Sequence, residues 1–187
     1  MILSRLITRL RRFRREDDGT IMVEALITLP LLIWALAATY EFFEVHRYNS
    51  VRDKATYTVA DMLSREMGTV TPTYIDNTKT VFDRITNDGG ANELRISVIK
   101  YDQQDDEYFV SWSEVRGGGT LTPLDDADVA TGHDSLPIMD DGEEVILVES
   151  VSTYPALFDV GINDINIATR VLTSPRFAPQ ILFDDGS

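Results

Sequence analysis

A single carboxylate, Glu24, interrupts an apolar stretch that runs from Ile21 to Tyr40 without any other charge. Inside a membrane-spanning helix such a group costs about 2.5 to 3.5 kcal/mol at the bilayer midplane, and less near an interface. Glu24 should therefore pair with a cation or extend its side chain towards the lipid headgroups. Both interpretations remain open from the residues alone.

The side chains that usually carry out catalysis are sparse. The chain has two histidines, His46 and His133, and no cysteine, which excludes disulfides, thiolate zinc sites and cysteine nucleophiles. It contains no nucleophile elbow, zinc-protease helix, phosphate loop or dinucleotide fingerprint. Pairs of carboxylates are common in any chain this acidic, so they indicate little. We therefore expect that the protein is not an enzyme.

The apolar stretch is long enough to cross a bilayer. Its twenty residues would form a helix about 30 Å long, which matches the hydrocarbon thickness. Trp34 and Tyr40 lie in its second half, where aromatic rings favour the membrane interface. Pro30 removes one helical hydrogen bond and should kink the helix. We predict a transmembrane helix over residues 20–43; a buried core helix is an alternative.

The charge of the chain is divided unevenly. The net charge is −14, yet residues 1–15 contain no acid, so residues 16–187 carry −20. This acidity argues against a nucleic-acid partner, because binding to phosphates needs clustered cations. Basic flanks stay in the cytoplasm, so residues 1–19 form a predicted cytoplasmic leader and residues 44–187 an extracytoplasmic domain. The arginines of the leader are Arg5, Arg9, Arg11, Arg12, Arg14 and Arg15.

The helical pattern continues beyond the apolar stretch. Apolar residues recur at steps of three and four, which predicts an amphipathic continuation over residues 44–67. Gly68 and Pro72 then provide a stop. The predicted helix runs from Thr20 to Met67. The apolar stripe comprises Val45, Tyr48, Val51, Ala55, Val59 and Met62.

The remaining sequence predicts a short helix and a small sheet. Thr71 is a suitable N-cap for a helix over residues 72–86, with Ile75, Phe82 and Ile85 on one face. Alternating residues on either side of the acidic turn 102–107 predict a hairpin with one buried face. Two further segments indicate central strands, Glu144–Ser152 and Ile165–Thr173. The predicted fold class is α+β: the long helix packs on an antiparallel sheet of about four strands within residues 93–173.

A strongly acidic part of the chain begins with the connection between the hairpin and the next strand. Residues 117–169 contain eleven acids and no Lys or Arg. A Ca²⁺ site is one interpretation, although no EF-hand spacing is present. A docking surface for basic partners and a solvated loop are the others. The densest acids are Asp125, Asp126, Asp128, Asp134, Asp140 and Asp141.

The start of the apolar stretch resembles a known family. Gly19 is followed by four residues and then Glu24, behind a basic leader, as in the signal sequences of type IV pilins and pseudopilins. More specifically, GTIMVEALITLPLLIWALAATYEFFEVHR is similar to the start of TadE-like proteins, minor pseudopilins of the Tad (Flp) pilus of the tight-adherence system. The resemblance implies cleavage between Gly19 and Thr20 by a prepilin peptidase and a pilin-like fold. It also implies that the new amino group of Thr20 in a neighbouring subunit pairs with Glu24.

The expected function is that of a minor pseudopilin, with a structural and assembly role in adherence. Thr20, Ala25 and the additional domain of about 120 residues differ from major pilins and favour a minor subunit. Its expected partners are the bacterial inner membrane, the prepilin peptidase, other pilins and the Tad assembly platform. It would cross that membrane once with its domain in the periplasm, either staying there or entering the pilus.

Two alternatives remain open. In the first alternative, the protein is an unprocessed, single-pass membrane-anchored binding module that works through its acidic domain. Or a signal peptidase cuts after Ala37, at the small-residue site Ala35-Leu36-Ala37, and releases a periplasmic protein. Acids beside and inside the apolar run, including Glu24, are unusual for such a signal peptide.

Overall fold

A computed structural model describes residues 17–87, 92–161 and 165–186. The chain divides into two compact units, residues 1–44 with 156–163 and residues 45–155 with 164–187. The arginines of the predicted leader lie outside the described residues. Helix α1 covers Asp17–Ser64 and contributes residues to both units.

Helix α1 ends at Ser64, before the predicted end at Met67. After Ser64 the amides of Arg65 and Glu66 bond to carbonyls three residues back, which tightens the last turn. The carboxylate of Glu66 then accepts the amides of Met67 and Gly68 at 3.2 and 3.1 Å. These local bonds replace the next helical turn, so the helix stops early.

Helix α2 spans Pro72–Thr86 and confirms the predicted start. The side chain of Thr71 accepts the amide of Tyr74 at 3.3 Å, and the helix ends at Asn87 in the left-handed conformation. Ile75 and Phe82 are buried, as expected for its apolar face. Ile85, which was predicted to share that face, is 37% exposed because it lies in the last turn.

Four antiparallel strands form one sheet in the order β2-β1-β3-β4. They are β1 (Asn92–Asp102), β2 (Glu107–Arg116), β3 (Glu144–Tyr154) and β4 (Ile165–Thr173). The α+β prediction and the interior position of β3 are confirmed. The prediction of β4 as a central strand is wrong: it lies at an edge of the sheet, and only alternate residues, Ile167, Thr169 and Val171, are buried.

Both faces of the sheet are covered, whereas the sequence predicted a hairpin with one buried face. On one face, Leu94, Ile96 and Val98 pack with residues of α1 and α2. A bulge follows Val98 in the pairing of β1 with β2. The second face is covered from the long acidic connection, which contains the short helix α3 (Asp126–Val129). This second cluster comprises Ile99, Tyr101, Tyr108, Val129, Leu136, Met139, Val145 and Leu147.

Candidate processing and assembly site

The apolar half of α1 is exposed in the isolated chain. Among the described residues, α1 is the one helix long and apolar enough to cross a membrane. Its most apolar stretch is not buried, whereas that of a core helix would be, so the structure does not support the core-helix alternative. The helix is compatible with a single-pass membrane anchor. Its exposed large side chains up to Tyr40 are Ile21, Met22, Val23, Leu26, Ile27, Leu29, Leu31, Leu32, Ile33, Trp34 and Leu36.

The predicted processing bond lies in the first described turns of this helix. The backbone at Gly19 and Thr20 is helical, and Glu24 is exposed one turn further on. Thr20 and Glu24 are four residues apart, so they lie on the same helix face about 6 Å apart along the axis.

The predicted kink at Pro30 and several alanines lie along the same helix. Pro30 is inside α1, and the helix continues through it. Ala25 and Ala35 are exposed, as a surface for other helices would be. Ala37 and Ala38 are half-buried within the chain itself. They lie four and three residues before Glu41 and therefore on the same side of the helix.

Glu41 is a buried carboxylate that sequence reasoning missed. Its side chain is 0% exposed, although it directly follows the apolar stretch. Its Oε1 accepts the backbone amides of Leu157 and Phe158 at 2.5 and 3.2 Å. Through these two hydrogen bonds Glu41 fastens the loop between β3 and β4 to the helix. The acid was visible in the sequence, but its partners lie more than one hundred residues away.

The loop that Glu41 binds carries two exposed apolar side chains. Leu157 is 68% exposed and Phe158 is 42% exposed. The ring of Phe158 meets that of Tyr40 edge-on, with centroids 5.9 Å apart. A bond from the amide of Val160 to the carbonyl of Phe158 makes the tip tight, and Gly161 follows with a positive φ of 94°.

The second half of α1 buries an arginine against the sheet. Arg52 is 1% exposed, and its guanidinium lies 3.0 Å from the ring centroid of Tyr48. It donates to Oδ1 of Asn92 at 3.2 Å, and Ser152 donates to the same oxygen at 2.5 Å. The amide nitrogen of Asn92 in turn donates to Asp83 at 3.1 Å. Arg52 falls between the predicted apolar positions Val51 and Ala55, so the sequence pattern gave no reason to bury it.

A hydroxyl cluster continues this polar contact along α1. Thr56 lies 2.7 Å from the hydroxyl of Thr169 and 3.5 Å from that of Ser150. The hydroxyls of Ser150 and Thr169 are also 2.7 Å apart, and all three residues are buried. Buried hydroxyls are tolerated only when they are hydrogen-bonded, so this cluster fixes the register of α1 against β3 and β4.

The histidine of the acidic connection belongs to a surface contact. His133 Nε2 lies 3.0 Å from Oδ1 of Asp106, and Tyr101 donates to the same oxygen at 2.6 Å. The hydrogen bond to Asp106 raises the pKa of Tyr101 to about 12. The bonds from Tyr101 and His133 lower the pKa of Asp106. The cluster therefore links the acidic connection to the β1–β2 turn.

Several acids of the connection accept hydrogen bonds from backbone amides. Asp125 and Asp128 form a capping box at the start of α3. Asp126 accepts the amide of Val110 at 2.8 Å, and Asp141 accepts that of Gln103 at 3.2 Å. Within residues 17–87, 92–161 and 165–186, no group of three or more His, Asp or Glu side chains is arranged to hold a metal ion. The calcium interpretation gains no support from these residues.

An open cleft of about 490 Å³ lies beside β2, between Lys100 and the segment 180–185. Its buried acid, Glu144, accepts the hydroxyl of Ser111 at 3.2 Å and the amide of Ile181 at 2.8 Å. The indole of Trp112 donates to the carbonyl of Ile181 at 2.7 Å. These polar groups hold the C-terminal segment on the sheet, so the cleft is accounted for by internal packing.

The comparisons with known proteins add no relative. No protein-family model, no curated protein and no solved structure matches this chain. The functional assignment therefore depends on the residues and on the geometry of the exposed helix.

Proposed function

We propose that the protein is a minor pseudopilin of a Tad-type pilus that is anchored by α1 in the bacterial inner membrane. One observation supports this most: α1 is apolar and exposed from Ile21 to Leu36, it has Glu24 one turn beyond the Gly19–Thr20 bond, and the same helix runs on to Ser64. An exposed surface of this size must be covered by lipid or by other helices. A subunit that moves from a membrane into a helical filament meets both conditions in turn.

In this proposal Gly19 and Thr20 serve processing. A peptidase needs an extended backbone, so the first turns of α1 must unwind before the bond is cut. Glycine favours this step, because it stabilises a helix by about 1 kcal/mol less than alanine does. Cleavage removes the arginine-rich leader and creates an amine on Thr20.

Glu24 then sets the axial position of the subunit. Its charge is costly in an apolar bundle and is neutralised best by a cation at the same height. The amine of Thr20 on a neighbouring subunit supplies that cation. Ala25 and Ala35, which are exposed and small, let a neighbouring helix approach closely.

Mass spectrometry of the mature N-terminus tests the proposal directly. In cells that contain the peptidase we expect the chain to start at Thr20. A start at Met1 would instead support an unprocessed membrane-anchored module, and a start at Ala38 would support release by signal peptidase.

Two substitutions separate processing from assembly. Gly19→Ala should reduce cleavage severalfold, since a side chain hinders the approach of the protease. Glu24→Ala and Glu24→Gln should leave cleavage largely intact but reduce incorporation into pili, whereas Glu24→Asp, which keeps the charge, should retain part of it. Cleavage is measured by the shift in mass and incorporation by immunoblotting of sheared pili. Normal incorporation of Glu24→Gln would contradict the charge-pairing mechanism.

A further inference from the structure

The loop between β3 and β4 is fixed to α1 at one height. Glu41 accepts two amides of the loop, and Tyr40 meets Phe158 edge-on at 5.9 Å. The loop therefore does not simply follow its neighbouring strands: its tip is fastened directly to the helix.

That height coincides with the end of the apolar stretch. From Ile21 to Tyr40 the helix rises about 30 Å, the thickness of the hydrocarbon layer. If Ile21 lies at one interface, Tyr40 and Glu41 lie at the other. Aromatic rings concentrate at this level, and Phe42 and Phe43, both exposed, add to them.

We propose that the loop Ala156–Gly161 is a second membrane contact, which inserts Leu157 and Phe158 into the outer interface of the bilayer beside α1. This inference rests on the proposed function only for the membrane-spanning helix and does not require cleavage or pilus assembly. The partner is a phospholipid surface. The buried carboxylate of Glu41 would hold the insertion in place.

The character of the loop favours lipid through apolar contact. Within residues 155–161 the one charged residue is Asp159, in a domain whose net charge is strongly negative. Attraction to anionic headgroups is therefore excluded as the driving force. Two exposed apolar side chains at the height of the interface can still insert, because burying them removes apolar surface from water.

Spin labels can test this directly, since the chain has no native cysteine. The full-length protein is reconstituted in phosphatidylcholine vesicles with one cysteine at a time: Leu157→Cys in the loop, Ile27→Cys in the apolar helix, and Gln103→Cys in the exposed β1–β2 turn. Collisions with oxygen report lipid, and collisions with a water-soluble nickel complex report water.

We expect the label at residue 157 to collide with the two reagents as the label at residue 27 does. Its collision rate with the nickel complex should be severalfold lower than that of the label at residue 103, and its collision rate with oxygen should be high. Added anionic lipid or salt should change this little. A label at 157 that is as open to nickel as that at 103, while 27 is in lipid, would overturn this proposal and leave the membrane anchor intact. Shielding of 157 from both reagents would indicate protein packing and would also overturn it. A label at 27 in water would instead refute the membrane anchor itself.

A matched pair at Glu41 tests the fastening. Glu41→Gln and Glu41→Leu both remove the charge, but only Gln keeps an oxygen that can accept the two amides. We expect the label at 157 to stay in lipid with Gln and to move severalfold towards nickel accessibility with Leu, while the label at 27 is unchanged in both. Equal behaviour of the two variants would contradict the role of the hydrogen bonds.

Discussion

The two halves of α1 differ in how their apolar side chains are arranged and whether the chain itself buries them. From Ile21 to Tyr40 the helix is apolar on every side and exposed, so its surface requires an external partner. From residue 45 to Ser64 it has one buried side, where Ala55, Val59 and Leu63 join the core of the domain. Both halves belong to one continuous helix, and they differ in the distribution of apolar side chains around the axis.

The treatment of polar groups differs as well. In the second half, Arg52 and Thr56 are buried, and both are hydrogen-bonded to residues of the sheet. In the first half, Glu24 is exposed, and its proposed partner belongs to another molecule. A domain can satisfy its polar groups internally, whereas an exposed apolar helix leaves a charged group such as Glu24 to an external partner.

The largest expected effect comes from a Leu→Ala substitution, which is made once in each half of α1. Leu63→Ala removes a side chain that is 0% exposed and should lower the free energy of unfolding of the domain by about 2 to 5 kcal/mol, because it leaves a cavity. Leu26→Ala, at 75% exposure, should change it by less than about 0.5 kcal/mol. Urea unfolding in detergent, followed by the fluorescence of Trp112 in a Trp34→Phe background, measures both. Equal losses would remove the distinction between the halves.

A smaller effect is expected from the hydroxyl cluster. Thr56→Val keeps the shape but removes the hydroxyl that meets Ser150 and Thr169, and should cost about 1 to 3 kcal/mol in the same unfolding experiment. Thr58→Val is the control, since Thr58 is exposed and its hydroxyl donates to the carbonyl of Lys54 within the same helix. It should cost less than about 0.5 kcal/mol. If Thr56→Val were equally mild, the cluster would not hold α1 against the sheet.

The smallest effect concerns a polar contact on the surface, away from α1. The pKa of Tyr101 is raised to about 12, so its contribution to stability is present below pH 10, its ordinary value, and is lost as the pH rises through about 12. The pKa of Asp106 is lowered from its ordinary value of 3.8. Its contribution to stability is therefore present above pH 3.8 and is lost as the pH falls below that value. In Asp106→Asn the pKa of Tyr101 should return towards 10. Tyrosinate absorbance, compared with that of Tyr101→Phe, measures this, and an unchanged pKa would contradict the hydrogen bond as its cause.

Local pattern was sufficient for much of the fold. Thr71 and Pro72 predicted the start of α2, and the acidic turn between two alternating segments predicted the β1–β2 hairpin. The continuous apolar run of β3 predicted an interior strand. Each of these depends on neighbours within one helix turn or on the two-residue period of a strand, which the sequence displays directly.

The candidate site could be predicted only in part. Gly19, Thr20 and Glu24 were found because their spacing resembles that of pilin signal sequences, and Pro30 because it is a proline within the apolar stretch; their roles remain predictions. Glu41 was missed, because an acid after an apolar stretch is ordinary until the amides of Leu157 and Phe158 are placed against it. Arg52 was missed for the same reason, since its partner Asn92 lies in another element.

The sequence by itself determined the apolar helix, its amphipathic continuation and the alternating strands, because these follow from the order of side chains along a helix or a strand. Only the tertiary structure decided that β4 lies at an edge, that the acidic connection covers the second face of the sheet, and that Glu41 holds a distant loop. Those outcomes depend on which segments meet in space. Pairing between segments far apart in the chain has no periodic signature in the sequence.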